Sequence, residues 1–345
     1  MKVSKTIKNL FYSKYEFRAR CLTDFSLPEY KGATFRGGFG HTLKEIVCPY
    51  VNRNATDVVC EKCIWCDTCP YSYIFETFMP EQYTLLDNYF NAPRPFIIEP
   101  PQDKKRYYKQ GDEFAFNIIL IGKATEYFFY TLLAMEKLGR IGIGWQQAGK
   151  FAIETVLICD NTNENVKHKI YDGTGRFLDM PPLSPPDKKL HSCVLSKGSL
   201  DTLEIDFVTP TKIKYNNALI KYPGSEIGDL DFHMFFARLI ERLSVLSLFH
   251  CGLSMKDFKI FTYRKRLLMT QAQSVQRIKS ALIWTDHIRC SNRQNKAKLK
   301  YGGFVGRIGF CGDLQDLYPY IVAGETVHVG TGTAFGQGMY RIVKS

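Results

Sequence analysis

The stretch His328-Val329-Gly330-Thr331-Gly332-Thr333-Ala334-Phe335-Gly336-Gln337-Gly338-Met339-Tyr340 carries four glycines in two GxG pairs. Glycine lacks a Cβ, so such a run lets backbone approach a ligand closely and present N–H groups to a phosphate. It is not a Walker loop, because no Lys-Ser/Thr follows to hold phosphate and magnesium. It is not a dinucleotide fingerprint either, since no strand–helix–strand unit comes after it. A glycine-rich turn between two strands is the plain alternative.

Working outward, the pattern of apolar residues predicts a strand at 304–310, a short helix at 314–320, and terminal strands near Val327 and over 339–343. Further upstream come a strand at 203–208 and a long amphipathic helix at 230–249, with Phe232, Phe235, Phe236, Leu239, Leu243 and Leu246 as its apolar face. Residues 161–186, rich in Asn, Asp, Gly and Pro, form the best domain boundary. Before it, strands are expected at 15–21, 114–120 and 151–158. Helices are expected at 41–47 and at 126–138, the second ended by Gly139. Two cycles of strand, helix, further strands and a second helix suit an α+β chain of two split βαβ units, 1–190 and 191–345.

The chain has 345 residues, 45% hydrophobic and 23% charged, which excludes a disordered polypeptide and allows two cores. A net charge of +12 favours an anionic partner. Twelve Lys/Arg against two acids fall between Met255 and Lys300, so this stretch holds most of the excess. Phe258, Phe261, Tyr263, Trp284 and Tyr301 lie in or beside it, rings on which bases can stack. The most apolar stretch, 114–135, is interrupted by Lys123 and Glu126, so no membrane-spanning segment is expected, and no secretory signal is visible. A cytoplasmic protein follows as the expectation. In a reducing compartment, closely spaced cysteines point to metal rather than to disulfides.

Cys48 is followed by Cys60, Cys63, Cys66 and Cys69 within VCEKCIWCDTCPY. Thiolates at CxxC spacing can converge on one ion, and structural zinc takes four of them. An iron–sulfur cluster is the alternative. Its ferredoxin pattern, however, has a three-residue last gap where this chain has two. Unligated thiols are the third reading.

Taken together, GTGTAFGQG, Trp284-Thr-Asp-His-Ile-Arg289, Ser291-Asn-Arg293-Gln294, Gly302-Gly303, Phe35-Arg36-Gly37-Gly38-Phe39-Gly40-His41, the cysteine cluster, Gly111-Asp112 and Gly142-Ile-Gly144 resemble the CRISPR-associated endoribonucleases that cut precursor CRISPR RNA within its repeats. The chain departs from that pattern at Thr331, where a basic residue is expected between the first two loop glycines.

The resemblance implies two tandem ferredoxin-like (RRM-like) domains with a small metal-binding cysteine insertion at about 48–100. It implies metal-independent cleavage in which the 2′-hydroxyl attacks the adjacent phosphate, leaving a 2′,3′-cyclic phosphate and a 5′-hydroxyl. It also selects Cys48, Cys60, Cys63 and Cys69 as ligands of a structural Zn2+, leaving Cys66 over. The implied partners are CRISPR repeat RNA and other subunits of a CRISPR effector complex, with no membrane. A non-cleaving RNA-binding subunit of such a complex is the alternative function.

Cleavage of this kind needs proton transfer and positive charge at the phosphate. Histidine is the natural group for the first. Of the seven histidines, His41 stands beside the glycine passage at the expected helix start, with Lys44 three residues on to stabilise phosphate charge. Tyr30 is the further candidate for proton transfer and Arg36 for phosphate contact. His328, beside the glycine run, competes with His41, and His287 suits an RNA contact. Arg264, Lys265, Arg266, Arg289, Arg293, Gly330, Gly332, Gly336 and Gly338 are the expected RNA-binding residues.

Overall fold

The structure is a computed structural model and describes residues 9–51, 59–79, 92–161, 163, 165–178, 200–216, 218–220, 229–291, 297–300 and 302–343. The chain divides into two compact units. One comprises Phe11–Ser184 with Phe249–Cys251, and the other is chiefly Pro185–Leu248 and Gly252–Ser345.

In the N-terminal unit, β1 (Tyr12–Cys21), α1 (Gly32–Val47), β2 (Phe96–Glu99), β3 (Glu113–Ile121), α2 (Phe128–Ile141), β4 (Phe151–Cys159) and β5 (Lys167–Tyr171) follow one another. The sheet order is β2-β3-β1-β4-β5, all antiparallel. Without the edge strand β5 this is βαββαβ with β1 and β3 in the middle, the ferredoxin-like arrangement. Phe17 pairs in register with Phe116 and Val156, and all three are fully buried.

Helix α1 starts at Gly32, nine residues before the expected start at His41, and takes in the whole FRGGFG passage. The cause is tertiary. Phe35, Phe39 and Leu43 recur at four-residue spacing and are all fully buried, each contributing about 1.5–3 kcal/mol. That offsets the roughly 1 kcal/mol each glycine costs in a helix. Helix α2 likewise runs through Gly139, whose missing Cβ is what lets Phe151 O approach: a Cβ there would sit 2.2 Å from it.

The C-terminal unit repeats the scheme with β6 (Thr202–Thr211), α3 (Phe232–His250), α4 (Met255–Ser274), β7 (Gln276–Ser280), β8 (Gly303–Cys311), α5 (Tyr318–Val327) and β9 (Tyr340–Val343). Its sheet order, β7-β8-β6-β9, is again antiparallel, and α4 is added to the basic ferredoxin-like plan. All six residues of the expected apolar face of α3 are buried.

The expected helix at 314–320 and strand near Val327 are replaced by one helix, α5. Pro319 in its first turn costs no hydrogen bond, and Val327 closes its last turn as a core residue. Among the described residues no helix is long and apolar enough to cross a membrane.

Candidate active site

The solvent-facing side of α1 carries His41, Lys44 and Glu45, which share a face because their spacings are three and four. The His41 side chain is 60% exposed, and its Nε2 lies 3.6 Å from Glu45 Oε1. The other Glu45 oxygen, Oε2, is held 3.0 Å from Lys137 Nζ on α2, so two packed helices position the carboxylate beside the imidazole. Lys44 Nζ stands 5.5 Å from the centre of the Tyr71 ring. His41, Lys44 and Glu45 form one wall of a cavity of about 680 Å³, within the usual range for ligand sites. The cysteine-rich segment, Trp65 and Tyr71 line the same cavity. An imidazole and an ammonium facing the same cavity can move a proton and stabilise an anion there.

His41 is therefore a mid-helix residue rather than a helix-start residue, and its neighbours are more ordered than a flexible glycine passage would make them. Of the other expected site residues in this unit, Tyr30 and Arg36 do not line the cavity. Burial, and after it the nearby Glu99, push the Tyr30 phenol far above its ordinary range, so it is unsuited to proton exchange near neutrality. The Arg36 guanidinium lies 4.4 Å from the centre of the Phe75 ring and is half-buried.

Helical spacing from His41 would have revealed Glu45. Lys137, Trp65 and Tyr71 arrive through packing that no local pattern encodes.

The glycine loop is built differently. Gly330, Gly332, Gly336 and Gly338 all have φ between 76° and 85°, a region L-residues avoid. The N–H groups of Thr331, Phe335, Gly336, Gln337 and Gly338 donate to carbonyls within the C-terminal unit. Gly336 and Gly338 are buried, whereas Thr331 is exposed. His328 is fully buried at the end of α5, with Nδ1 3.1 Å from Gln337 O, so it is a packed loop residue rather than a solvent-facing acid or base.

The basic segment is splayed by its secondary structure. On α4, Arg264, Lys265 and Arg266 point about 100° apart, so they do not form one phosphate-facing cluster. Lys265 is half-buried, and desolvation lowers its pKa despite nearby Glu241. Arg266 is exposed, and Arg264 is half-buried. Arg289 belongs to the strand Ile288–Ser291, and Arg293 lies outside the described residues. His287 is half-buried.

Four cysteines, Cys48, Cys60, Cys63 and Cys69, line the His41 cavity, as does Cys66. Turn bonds from Cys63 N to Cys60 O (3.2 Å) and from Cys66 N to Cys63 O (2.9 Å) curl the segment. Burial pushes the Cys60 and Cys69 thiols up. Cys48 and Cys69 add to the effect at Cys60, and Cys48 and Cys63 add to it at Cys69. Cys66 Sγ is instead 3.2 Å from Ser72 Oγ. The four remaining thiols are the right donor set for zinc. Among the described residues, however, no three His, Cys, Asp or Glu side chains converge closely enough to hold an ion.

Residues 205–340 match the family described as CRISPR-associated endoribonuclease Cas6. Residues 10–183, just over half of the chain, match the family AF_1859_N, described as an N-terminal domain. Residues 205–340 thus carry a domain of the Cas6 family of CRISPR-associated endoribonucleases.

An uncharacterized protein of Archaeoglobus fulgidus is 24% identical over 194 residues, covering 55% of this chain and 58% of that protein. The chain therefore matches little more than half the length of that relative. A Cas6 product complex is similar with a TM-score of 0.53 at 12% identity, covering 96% of this chain and 100% of that one. Thermus thermophilus Cas6 gives 0.51 at 9% identity, over 97% and 99% of the two chains. A partial Cas6-RT-Cas1–Cas2 complex gives 0.52 at 12% identity, over 97% of this chain and 46% of that one. At these identities the likeness establishes the Cas6 fold, two ferredoxin-like units in tandem.

Proposed function

We propose that this chain processes precursor CRISPR RNA by cutting within its repeats, leaving a 2′,3′-cyclic phosphate and a 5′-hydroxyl without a catalytic metal. The observation that carries the reading is the juxtaposition of His41 and Lys44 at the α1 cavity, in a chain whose residues 205–340 match an endoribonuclease family. The 2′-oxygen attacks the adjacent phosphorus as its proton is removed. The bond from phosphorus to the 5′-oxygen breaks, and that oxygen takes up a proton. His41 moves a proton in this exchange, and Glu45 orients the imidazole. The Lys44 ammonium offsets the added negative charge on the phosphoryl oxygens. CRISPR repeat RNA is the substrate, and other CRISPR subunits are further partners.

The test is incubation with repeat RNA in chelator, followed by end-group analysis. Cyclic-phosphate ends in chelator, lost on 2′-deoxy substitution at the cut, are expected. Fragments that need magnesium, or that end in a 3′-hydroxyl, refute the reading.

The cysteine segment is proposed to hold one structural Zn2+ through Cys48, Cys60, Cys63 and Cys69, the ion drawing in thiols that already face one cavity. Elemental analysis of purified protein is expected to give one zinc per chain, lost in Cys63→Ser. Iron with visible charge-transfer absorption would instead assign a cluster.

A further inference from the structure

Lys104-Lys105-Arg106-Tyr107-Tyr108-Lys109 is a second cationic and aromatic run, in the N-terminal unit and outside the cavity. Tyr107–Tyr108 pairs with Phe25–Ser26 as a two-residue ladder. The alternation of a strand then separates the two rings. Tyr108 is 2% exposed and stacks on Phe25 at 5.1 Å, whereas Tyr107 is 75% exposed.

The acids nearby are occupied. Asp112 holds Lys105 Nζ at 2.6 Å and accepts from the Lys109 backbone N–H at 2.6 Å. Asp103 accepts from the Tyr108 hydroxyl at 2.9 Å and pairs with Lys31 at 3.0 Å. Among the described residues, Lys104, Arg106 and Lys109 form no side-chain ion pair.

A second exposed ring stands beside this run. Trp145, 78% exposed, is at the tip of a knuckle closed by Ile143 and Gly149, which exchange two backbone hydrogen bonds of 2.9 Å. The tip carries Gln146 and Gln147 at φ 51° and 58°, a conformation costly to non-glycine residues that persists only where surrounding structure enforces it. The knuckle rests on the segment that also pairs with Tyr107. A Cβ on Gly144 would lie 2.8 Å from the carbonyl oxygen of Ser26, the cross-strand partner of Tyr107. Thr23 Oγ1 donates to Ala148 O at 2.6 Å.

Two large rings left in water next to Lys104 and Arg106, which form no side-chain ion pair among the described residues, and Lys109, whose charge also bears on Asp112, mark a contact surface. Exposed rings for stacking and cations for phosphates suit an unpaired nucleic-acid strand. An acidic polypeptide would use the cations but not the rings. Lys31, bound to Asp103, immediately precedes α1, and ten residues at 1.5 Å each place His41 roughly 15 Å further along the helix axis.

We infer that Tyr107 and Trp145 stack, and Lys104, Arg106 and Lys109 bind phosphates, of an unpaired stretch of the same RNA that is cut at His41. This rests on the function proposed above.

The test uses the full chain and a repeat RNA made uncleavable by a 2′-deoxy substitution at the cut. Y107A/W145A is expected to weaken binding about tenfold or more, and Y107F/W145F to restore it. K104A/R106A/K109A is expected to flatten the slope of log affinity against log salt by about 2. Single-turnover cleavage of natural RNA at saturating protein stays at the wild-type rate in all three variants. Wild-type affinity and salt slope in both alanine sets, with cleavage intact, overturn this inference alone. A wild-type chain that neither binds nor cuts repeat RNA overturns the proposed function and this surface with it. In a W65F/W284F chain, Trp145 fluorescence is expected to be quenched by oligouridylate. Quenching by polyglutamate instead would assign the surface to an acidic protein and overturn the inference.

Discussion

Phe35–His41 and Gly330–Gly338 are both glycine-rich, yet the glycines answer different physical needs. In α1 the backbone is ordinary helix, and the missing Cβ atoms make room for neighbours. A Cβ on Gly38 would sit 2.5 Å from Leu138, and one on Gly40 would sit 2.1 Å from the Phe75 ring. In the C-terminal loop every glycine of the two GxG pairs is left-handed, and the turn itself demands it. A Cβ on Gly338 would also strike Val329 O at 1.8 Å. The first segment thus brings a helix close enough to its neighbours to hold His41 over a cavity. The second makes a tightly turned loop whose N–H groups are largely spent on its own unit. Glycine content alone does not say which of the two is present, and φ decides.

The contrast can be broken at its strongest point by His41→Ala. Cleavage is expected to fall about 10²–10⁴-fold in single-turnover assays while affinity for uncleavable repeat RNA is kept. Unchanged cleavage would remove the chemistry from α1 altogether.

Next in size is Gly338→Ala, which combines a forbidden φ with a backbone clash and is expected to cost roughly 3 kcal/mol. Chemical denaturation measures it, and an unchanged midpoint would show that the loop is not the rigid element described. Gly40→Ala should be milder, about 1–3 kcal/mol, because a phenyl ring can shift where a backbone carbonyl cannot. A loss as large as that at Gly338 would erase the distinction.

The smallest effect has the opposite sign. Gly37 is exposed, helical, and has nothing within 4 Å of a built Cβ. Gly37→Ala is expected to stabilise the protein by about 1 kcal/mol, visible as a higher melting temperature. Destabilisation there would mean that this stretch is not helical.

Much of the strand framework was legible. The strands around Phe17, Phe116, Val156, Ile205 and Ile308 announce themselves by apolar runs, and the α3 stripe by its helical period. The start of α1 was not legible, because three glycines in five residues read locally as a loop and only burial of Phe35 and Phe39 overrides that. The Leu314–Tyr320 helix was displaced for a related reason: apolar density marks the core but not the point at which backbone begins to coil.

At the site, His41 and Lys44 could be paired from spacing alone. Tyr30 could not be judged from its chemistry, since its titration is set by burial and Glu99. The triplet Arg264-Lys265-Arg266 looked like one patch because charge adds along a sequence, while a helix distributes consecutive residues around its axis.

By itself, the order of residues determined the secondary-structure alternation of each unit, the basic excess, the cysteine spacing and the histidine to examine. Those are local or additive properties, readable one segment at a time. Folding alone decided that Lys137 steadies Glu45 beside His41, that Trp65 and the cysteines face the same cavity, and that Tyr107 and Trp145 share one supporting segment. Each of those contacts joins residues far apart along the chain, and only the packing of helices and strands brings them together.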